Sequence, residues 1–340
     1  MRVLRRANIR TITSKCTPTN KPMLRSGKNI KALYYLSNYA QMLIPNCLFN
    51  SQLERILNSL DEREDKAYIL DRVDYYCRLS PGATLPPEAS TIGQQKMNRK
   101  KVYYFDSRRA LRYFPSRLRF SLVPGDINTV CRYPSLVKSR PIGTGNQNNV
   151  LLKLNRVRHF VTVRDRLSFE SKATQAIFRG KIKDKPLRER FFQRFFGNPL
   201  CDLGDTSRHP NSPQEWRAPL MSIYDQLAYK FILTLEGFDV ASNLKWVMAS
   251  NSLAIMPRPR CETWFMEGRL EGGVHYVEIR DDFSDLEEKI AFYSNHTDEA
   301  QRIIAAANQW AAQFRDPKRE RLISLLVLKK YFEATGQTVS

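Results

Sequence analysis

The alternation of apolar and amphipathic segments across residues 227–286 constrains the fold of this chain more than any other feature. Short apolar runs at 231–235, 252–256 and 274–279 predict buried strands, since Gly, Pro or charged residues bound each run. Helical segments follow the first and the last of these runs. Strand–helix alternation at this spacing predicts an α/β fold, in which helices cover both faces of a parallel sheet.

Polar residues follow the predicted strands, at the end where parallel sheets bind their ligands. The first strand leads to Glu236, Gly237 and Asp239, and the second leads to Glu262. In Rossmann-type sites a carboxylate at a strand end accepts hydrogen bonds from a sugar diol. By position, these four residues are therefore candidates for a site that binds the diol of a ribose or a hexose.

The predicted helix start at 239–243 is a candidate anion site. Asp239 or Ser242 can cap it, which leaves free backbone N–H groups across the segment Val240, Ala241, Ser242, Asn243. Such groups and the helix dipole together attract phosphate. Most helix starts in α/β proteins hold no ligand, so the pattern alone leaves open whether a diphosphate binds here.

The net charge of +21 over 340 residues indicates an acidic partner. The Lys and Arg residues are spread along the chain, without the residue spacing of a recognised nucleic-acid-binding motif. We therefore expect an anionic membrane surface or a phosphorylated glycan as partner, and no nucleic acid. A non-catalytic basic module that binds nucleic acid or anionic glycan remains the alternative.

The location expected from the sequence is the cytoplasm, peripherally on the inner membrane. The N-terminus is basic but has no apolar segment typical of a secretory signal. The sequence contains no apolar run of the length that a transmembrane helix requires. The six cysteines are scattered, which favours reduced thiols.

The first half of the chain is predicted to begin with a basic arm over residues 1–28. Helices are predicted at 30–44, 51–60, 66–76 and 107–113, and strands at 102–105, 117–123, 135–138, 150–154 and 159–163. In the first helix, Leu33 and Leu36 recur at helical spacing with Ala40 and Leu43, a pattern interpreted as core packing. The strand at 117–123 ends in a Pro-Gly turn that contains Asp126. Lys138 and Arg140 precede a Gly/Asn turn and are candidate cleft cations.

The second half opens with a strand at 175–178 that leads into Arg179, Gly180 and Lys181. A helix at 186–196 follows and contains Arg188, Arg190 and Arg194. Residues 198–217 are predicted to form a polar loop. Two further helices are predicted at 298–314 and 318–334, separated by Pro317.

Several sequence blocks resemble one glycosyltransferase family. The blocks read KKVYYFD, RFSLVPGD, LVKSRPIG, AIFRGK, LEGFDVASNLKW, ASNSLAIMP, ETW and HYVEIRDDFSDL, and they span roughly residues 100–330. This family includes the protein O-glucosyltransferases of animals, the fungal capsule xylosyltransferases and the bacterial lipopolysaccharide core transferases, and the upstream blocks resemble the bacterial branch.

The resemblance implies two Rossmann-like domains that face a cleft (a GT-B-like fold), with the C-terminal helix crossing back to the first domain. We expect an acceptor-side domain at 29–150, a nucleotide-sugar donor domain at 151–316 and the returning helix at 317–340. The implied reaction is the inverting, metal-independent transfer of a sugar from a UDP-hexose or UDP-pentose donor. The implied acceptor is a hydroxyl of a lipopolysaccharide core or related glycan. No cofactor is implied besides the donor substrate.

The resemblance also implies roles for individual residues. Arg179 matches the family's arginine at the donor diphosphate, and Lys181 lies beside it. Asp126 matches the family's catalytic base, although Ile127 and Asn128 follow it where the animal members have an aromatic–Pro pair. Asp106 is the next candidate for the base.

Metal-dependent and hydrolytic chemistries lack their sequence signatures. The four histidines show no metal-ligand spacing, and no nucleophile elbow or Walker loop occurs. The Asp281-Asp282 pair lies beside a predicted helix cap, so capping is favoured over metal binding.

Overall fold

The computed structural model describes residues 27–97 and 99–339. The helices are α1 (Lys31–Met42), α2 (Cys47–Asn50), α3 (Leu53–Asn58), α4 (Lys66–Tyr76), α5 (Lys101–Leu111), α6 (Arg156–His159), α7 (Pro186–Phe195), α8 (Ile223–Gln226), α9 (Leu244–Val247), α10 (Leu286–Asn295), α11 (Thr297–Ala312) and α12 (Pro317–Ala334). The strands are β1 (Ser90–Thr91), β2 (Arg119–Phe120), β3 (Leu122–Val123), β4 (Ser135–Val137), β5 (Ser139–Pro141), β6 (Asn149–Leu151), β7 (Ala173–Gly180), β8 (Cys201–Asp205), β9 (Tyr229–Leu233), β10 (Leu253–Met256), β11 (Cys261–Thr263) and β12 (Val277–Glu278).

The larger sheet has five parallel strands in the order β12-β10-β9-β7-β8. Its first strand in sequence, β7, therefore lies between β8 and β9, the second and third strands of this sheet in sequence. The direction in which successive strands are added reverses at the β7–β9 pair, which makes this pair the topological switch point of the sheet. The prediction of an α/β fold with a parallel sheet is confirmed.

Strand β9 shows why this sheet is covered on both faces. Phe231 and Leu233 belong to one hydrophobic cluster, whereas Ile232, which points to the opposite face, belongs to another. All three are fully buried. A strand with apolar residues at successive positions is stable only where both faces of its sheet are covered.

A smaller parallel sheet, in the order β3-β4-β6, lies in the first half of the chain. The antiparallel pair β5–β11 connects the two halves, with Arg140 paired opposite Glu262. The last helix, α12, packs against α3, α4 and α5. Its final turn reaches the loop after α4, since the N–H of Ala83 donates to the carbonyl of Ala334 at 3.0 Å.

The strand predicted at 102–105 is wrong, because these residues lie within helix α5. The aromatic residues there favour strands by propensity, but residues 103–107, Ala110 and Leu111 are all buried within the helix. Packing around most of the helix outweighs the local preference for a strand.

Two further segments differ from their predictions. The polar loop predicted at 198–217 contains β8, which pairs along one side with β7. The strand predicted at 159–163 is wrong, since α6 ends at His159 and no strand is assigned to residues 160–163. In β8, Gly204 lies opposite Arg179, and a Cβ there would approach the Arg179 Cδ to 2.9 Å. This close approach requires glycine at position 204.

The apolar face of α1 is not part of the core, and the interpretation of Leu33 and Leu36 as core residues is wrong. These side chains are 60% and 68% exposed, and Leu43 just beyond the helix is 85% exposed. The opposite face is polar, with Asn38 buried and the Tyr34 hydroxyl donating to Asp106 at 2.8 Å. Periodicity identifies an apolar face but cannot identify what covers it.

Candidate active site

The switch point of the larger sheet brings the ends of β7 and β9 together around Arg188. This residue lies in the first turn of α7. Its guanidinium donates to the carbonyl of Lys181 at 2.9 Å, to that of Leu235 at 2.8 Å and to that of Glu236 at 3.1 Å. One side chain therefore joins the two strand ends between which ligands of this sheet type bind.

Arg188 forms no ion pair with any carboxylate in the described part of the chain. Its hydrogen bonds above go to backbone carbonyls, and it is partly buried. Burial, and then the nearby Arg158, lower the pKa of Arg188 to about 10. The guanidinium remains charged at neutral pH. An anion bound beside it would offset the cost of burying this charge and its repulsion by Arg158.

The sequence-predicted diphosphate cations lie at the end of β7. Arg179 turns towards the sheet edge, where its guanidinium pairs with the Asp202 carboxylate at 2.7 Å and donates to the Asp202 carbonyl at 2.9 Å. The Lys181 side chain is exposed. Arg188, in the basic helix after β7, is a third cation at this point, and its sequence position gave no signal for a role in the site.

The segment at 239–243 leads into a helix of one turn. Helix α9 spans Leu244–Val247, and no side chain caps its N-terminus. Val240 and Ala241 are buried, and Ser242 and Asn243 are partly buried, with the Asn243 amide donating to the carbonyl of Leu233 at 3.0 Å. A helix this short has a weak dipole, so the electrostatic argument for an anion here loses force.

Glu236 lies just beyond β9 and accepts hydrogen bonds from the backbone N–H groups of Arg260 at 3.1 Å and Cys261 at 3.2 Å. Burial raises the pKa of Glu236 to about 7, despite these two bonds. Gly237 adjoins Arg188, because a Cβ there would lie 3.4 Å from a guanidinium nitrogen. Both residues thus line the strand end at the switch point.

Lys138 connects the carboxyl ends of the two parallel sheets. It follows β4, and its buried ammonium lies 2.6 Å from the carboxylate of Asp239, which follows β9. The same ammonium pairs with Asp126, in the turn after β3. Since β3 and β4 are parallel neighbours, their ends lie side by side and bring Asp126 to Lys138.

Asp126 is the accessible carboxylate of this cluster, with its side chain 28% exposed against 4% for Asp239. Burial raises the pKa of Asp126, but Lys138 and the more distant Arg158 outweigh it, so the pKa lies below its ordinary value. The pKa of Asp239 is raised by burial in spite of Lys138. Asp126 is therefore an ionised carboxylate open to solvent at neutral pH.

Asp106, the second candidate for the base, has both carboxylate oxygens occupied. One accepts from Tyr34 at 2.8 Å and the other from the backbone N–H of Arg156 at 2.9 Å. The side chain is buried, and burial raises the pKa of Asp106. These bonds hold α1 and α6 to α5, which is a structural role.

Arg140 and Glu262 form a buried ion pair across the β5–β11 connection, at 2.7 Å. The Arg140 guanidinium also donates to the carbonyls of Tyr75 and Asn149, at 2.7 and 3.2 Å, and Glu262 accepts from the Tyr75 hydroxyl. Both side chains are almost fully buried. The structure thus places these two predicted site residues within the connection between the halves.

Among residues 27–97 and 99–339, no group of three His, Cys, Asp or Glu side chains is arranged to hold a metal ion. Within the same part of the chain, no helix combines the length and apolar character that a bilayer span requires.

Comparison with known proteins identifies the family. The profile of glycosyl transferase family 90 matches residues 147–322, about half of the chain. The chain belongs to glycosyl transferase family 90. Its match to O-glucosyltransferase LpsA of Dichelobacter nodosus is 48% identical over 269 residues, which cover 79% of this chain and 84% of that protein. The resemblance inferred from the sequence blocks is confirmed, and the chain is a glycosyltransferase.

More distant relatives match a shorter region. Protein O-glucosyltransferase 3 of Homo sapiens is 30% identical over 171 residues, which cover 49% of this chain and 33% of the human protein. Protein O-glucosyltransferase 2 of Danio rerio is 32% identical over 147 residues, 42% of this chain and 29% of that protein. The family region contains β7, α7 and β9, and hence Arg188 and the switch point.

Proposed function

We propose that this glycosyltransferase moves a hexose from a UDP-sugar to a hydroxyl of a lipopolysaccharide core or related glycan, with inversion and without a metal ion. The observation that carries the proposal is the position of Arg188, a cation without a carboxylate partner at the switch point. The name O-glucosyltransferase of a relative that is 48% identical favours a hexose over a pentose. We further propose that the two parallel sheets belong to two domains that face a cleft at Lys138.

The donor diphosphate lies against Arg188 and the exposed Lys181 in this proposal. As the bond from the anomeric carbon to the diphosphate breaks, its electron pair goes to the diphosphate oxygen, and negative charge builds there. A fixed cation stabilises this charge more in the transition state than in the ground state. Arg179 contributes only if its guanidinium leaves Asp202, so we assign the principal role to Arg188. The backbone of 240–243 and Glu236 line the remainder of the site.

Asp126 acts as the general base. An acceptor hydroxyl is a weak nucleophile near pH 7, and its proton passes to the Asp126 carboxylate as its oxygen bonds to the anomeric carbon. Attack occurs opposite the departing diphosphate, so a single displacement inverts the configuration. Lys138 positions Asp126 and keeps it ionised until the proton is transferred.

Substitution of Arg188 tests the placement of the diphosphate. We expect Arg188→Ala to raise the free energy of the transition state by about 2–4 kcal/mol, the range for loss of one charge-stabilising donor. Arg190→Ala, on the exposed side of the same helix, is the matched control. UDP-sugar binding and turnover are measured for both. Unchanged binding and turnover in Arg188→Ala would place the diphosphate elsewhere, and a larger loss in Arg179→Ala would return the principal role to that residue.

A panel of nucleotide sugars tests the donor and the metal requirement. One UDP-hexose should raise the melting temperature and be consumed in the presence of a core oligosaccharide, with or without a chelator. Activity that disappears with a chelator and returns with manganese would contradict metal-independent transfer. Salt-sensitive binding to DNA or RNA without any nucleotide-sugar response would instead support the non-catalytic basic module.

A further inference from the structure

The outer face of α1 is apolar and uncovered in the described structure. Exposed apolar side chains continue from the residue before the helix through the turn after it and into α2. They are Ile30, Leu33, Leu36, Tyr39, Met42, Leu43, Ile44 and Leu48. Apolar patches of this extent on a soluble protein mark a surface that contacts lipid or another protein. On the inner face, the Tyr34 hydroxyl donates to Asp106 and the Tyr35 ring packs against Phe105, and these contacts fix the helix in this orientation.

A cavity of about 790 Å³ adjoins this face. Ile44 and Phe49 form part of its lining, so it is continuous with the apolar surface. Of its described lining residues, seven are Lys or Arg and two are carboxylates. The cavity is therefore positively charged, with an apolar side next to α1.

Most of these cations lack a carboxylate partner. Within the described part of the chain, no ion pair is formed by Arg109, Arg112, Arg156, Arg315 or Arg321. The Arg112 guanidinium instead donates to the carbonyls of Gln41 at 2.9 Å and Ile44 at 2.7 Å, at the end of α1. Burial and the neighbouring Arg156 lower the pKa of Arg109. Asp106 offsets part of this repulsion, but the lining still holds seven cations against two carboxylates. Such an excess of guanidinium groups favours a ligand with more than one negative charge, such as a phosphomonoester.

We propose that the outer face of α1 and the arginine-lined cavity form a docking surface for a membrane whose lipids carry phosphomonoester headgroups. The leucines of α1 enter the interfacial region of the lipid, and the cavity takes a headgroup phosphate. Residues 1–26, which precede this surface in sequence, contain seven Lys or Arg and no Asp or Glu, in accord with an anionic surface. This proposal rests on the proposed function, because the surface is where the enzyme would meet a lipid-linked acceptor. The surface includes neither Asp126 nor Arg188.

Vesicle flotation tests this docking surface. The vesicles contain phosphatidylcholine alone, or phosphatidylcholine with phosphatidic acid or with phosphatidylglycerol, the last two matched in total charge. We expect strongest binding to phosphatidic acid, whose phosphomonoester suits the cavity, and weakest binding to phosphatidylcholine. Arg109→Gln with Arg321→Gln should weaken binding to phosphatidic acid vesicles by about fivefold for each cation removed. Combined Leu33→Ser, Leu36→Ser and Leu43→Ser should reduce binding to every anionic vesicle by tenfold or more.

Matched controls use exposed residues away from this surface, Arg166→Gln and Leu220→Ser. Circular dichroism confirms that each variant is folded, and UDP-sugar hydrolysis reports the active site separately. Equal binding to all vesicles, or unchanged binding by both sets of variants, would overturn the proposal. Binding that is lost on deletion of residues 1–26 but unaffected by the α1 and arginine substitutions would overturn it as well. If the wild-type protein binds vesicles as expected but transfers no sugar, the result would instead count against the proposed function.

Discussion

Lys138 is a single buried cation held between two carboxylates that come from different sheets. Each carboxylate has a different environment, and their pKa values move in opposite directions as a result. Asp126 stays ionised and accessible, which suits a base, whereas the buried Asp239 costs more free energy to charge. The division of roles follows from exposure rather than from residue type.

Replacement of Asp126 by Asn removes the base without changing the size of the side chain. We expect transfer to fall by about 10³-fold, within the range for general base catalysis, while UDP binding stays nearly unchanged. Asp61→Asn, at a carboxylate that is 74% exposed, serves as control. Since the pKa of Asp126 is lowered, wild-type transfer should show no loss of this base between pH 8 and pH 5. Near-normal transfer by Asp126→Asn would assign the proton to another carboxylate.

Glu236 makes the stability of the protein depend on pH. Its pKa is about 7 in the folded protein against 4.5 as the ordinary value, so the folded state binds this proton more tightly than the unfolded state does. The charged Glu236 carboxylate therefore destabilises the folded protein. This effect is absent below about pH 4.5, grows between pH 4.5 and pH 7 and is complete above pH 7. Glu236→Gln should therefore raise the free energy of unfolding at pH 8, by at most about 3 kcal/mol.

Thermal or urea unfolding of both proteins at pH 5 and pH 8 measures this effect. The gain from Glu236→Gln should be clearly smaller at pH 5. A gain of the same size at both pH values would show that the carboxylate is not the cause.

At the level of the site, the sequence singled out residues that lie just beyond strands and did not single out Arg188, which lies on a helix. Asp126, Lys138 and Glu236 each lie within three residues of a strand end, and the role of Asp126 as base was implied by the family resemblance. Arg188 reaches the switch point of the larger sheet from the first turn of a helix. Its contact with Leu235 depends on how α7 packs against β9, across 47 residues of sequence, and no local pattern encodes that contact.

At the level of elements, the sequence of β8 does not favour a strand by local propensity. It reads Cys-Asp-Leu-Gly-Asp and pairs with β7 along five residues. The backbone pairing and the space above Gly204 decide its conformation, because Arg179 and Ala218 occupy that space. For the same reason the aromatic residues of α5 and the leucines of α1 were predicted incorrectly: packing partners, not periodicity, determine the outcome.

Gly204→Ala should destabilise the protein by about 1–3 kcal/mol, the usual cost of overpacking. The new Cβ would lie 2.4 Å from the Ala218 Cβ and 2.9 Å from the Arg179 Cδ, so strand or side chain must shift. Gly93→Ala is a suitable control, because its Cβ would have no neighbour closer than 3.4 Å. Urea unfolding measures both variants. Equal stability of Gly204→Ala and wild type would mean that β8 can move away without cost.

At the level of the whole molecule, Glu320 on α12 joins three distant segments. Its carboxylate pairs with Arg72 of α4 at 2.7 Å and with Lys153 at 2.6 Å, and it accepts from the Trp264 indole at 2.7 Å. Burial raises the pKa of Glu320, but Lys153 and Arg72 outweigh it, so the pKa lies below the ordinary value. The contact between the two halves of the chain therefore depends on one buried carboxylate of the last helix.

Glu320→Gln leaves Arg72 buried without a full counter-charge, and we expect a loss of about 3–5 kcal/mol of stability at pH 7. Because the folded pKa of Glu320 is depressed, its stabilisation is present above pH 4.5 and is lost as the pH falls through the folded value. The gap between variant and wild type should narrow accordingly on acidification. Glu333→Gln, on the same helix at an exposed position, is the control. A variant as stable as wild type at pH 7 would contradict this role.

The outward leucines of α1 also affect how the purified protein behaves in the absence of lipid. With no membrane present, contact with another copy or with detergent can remove the same side chains from water. Excluded salts such as sulfate strengthen apolar contacts and screen the repulsion between molecules of charge +21. High sulfate should thus promote self-association of the protein, whereas low salt or a mild detergent should keep it monomeric during purification and crystallisation.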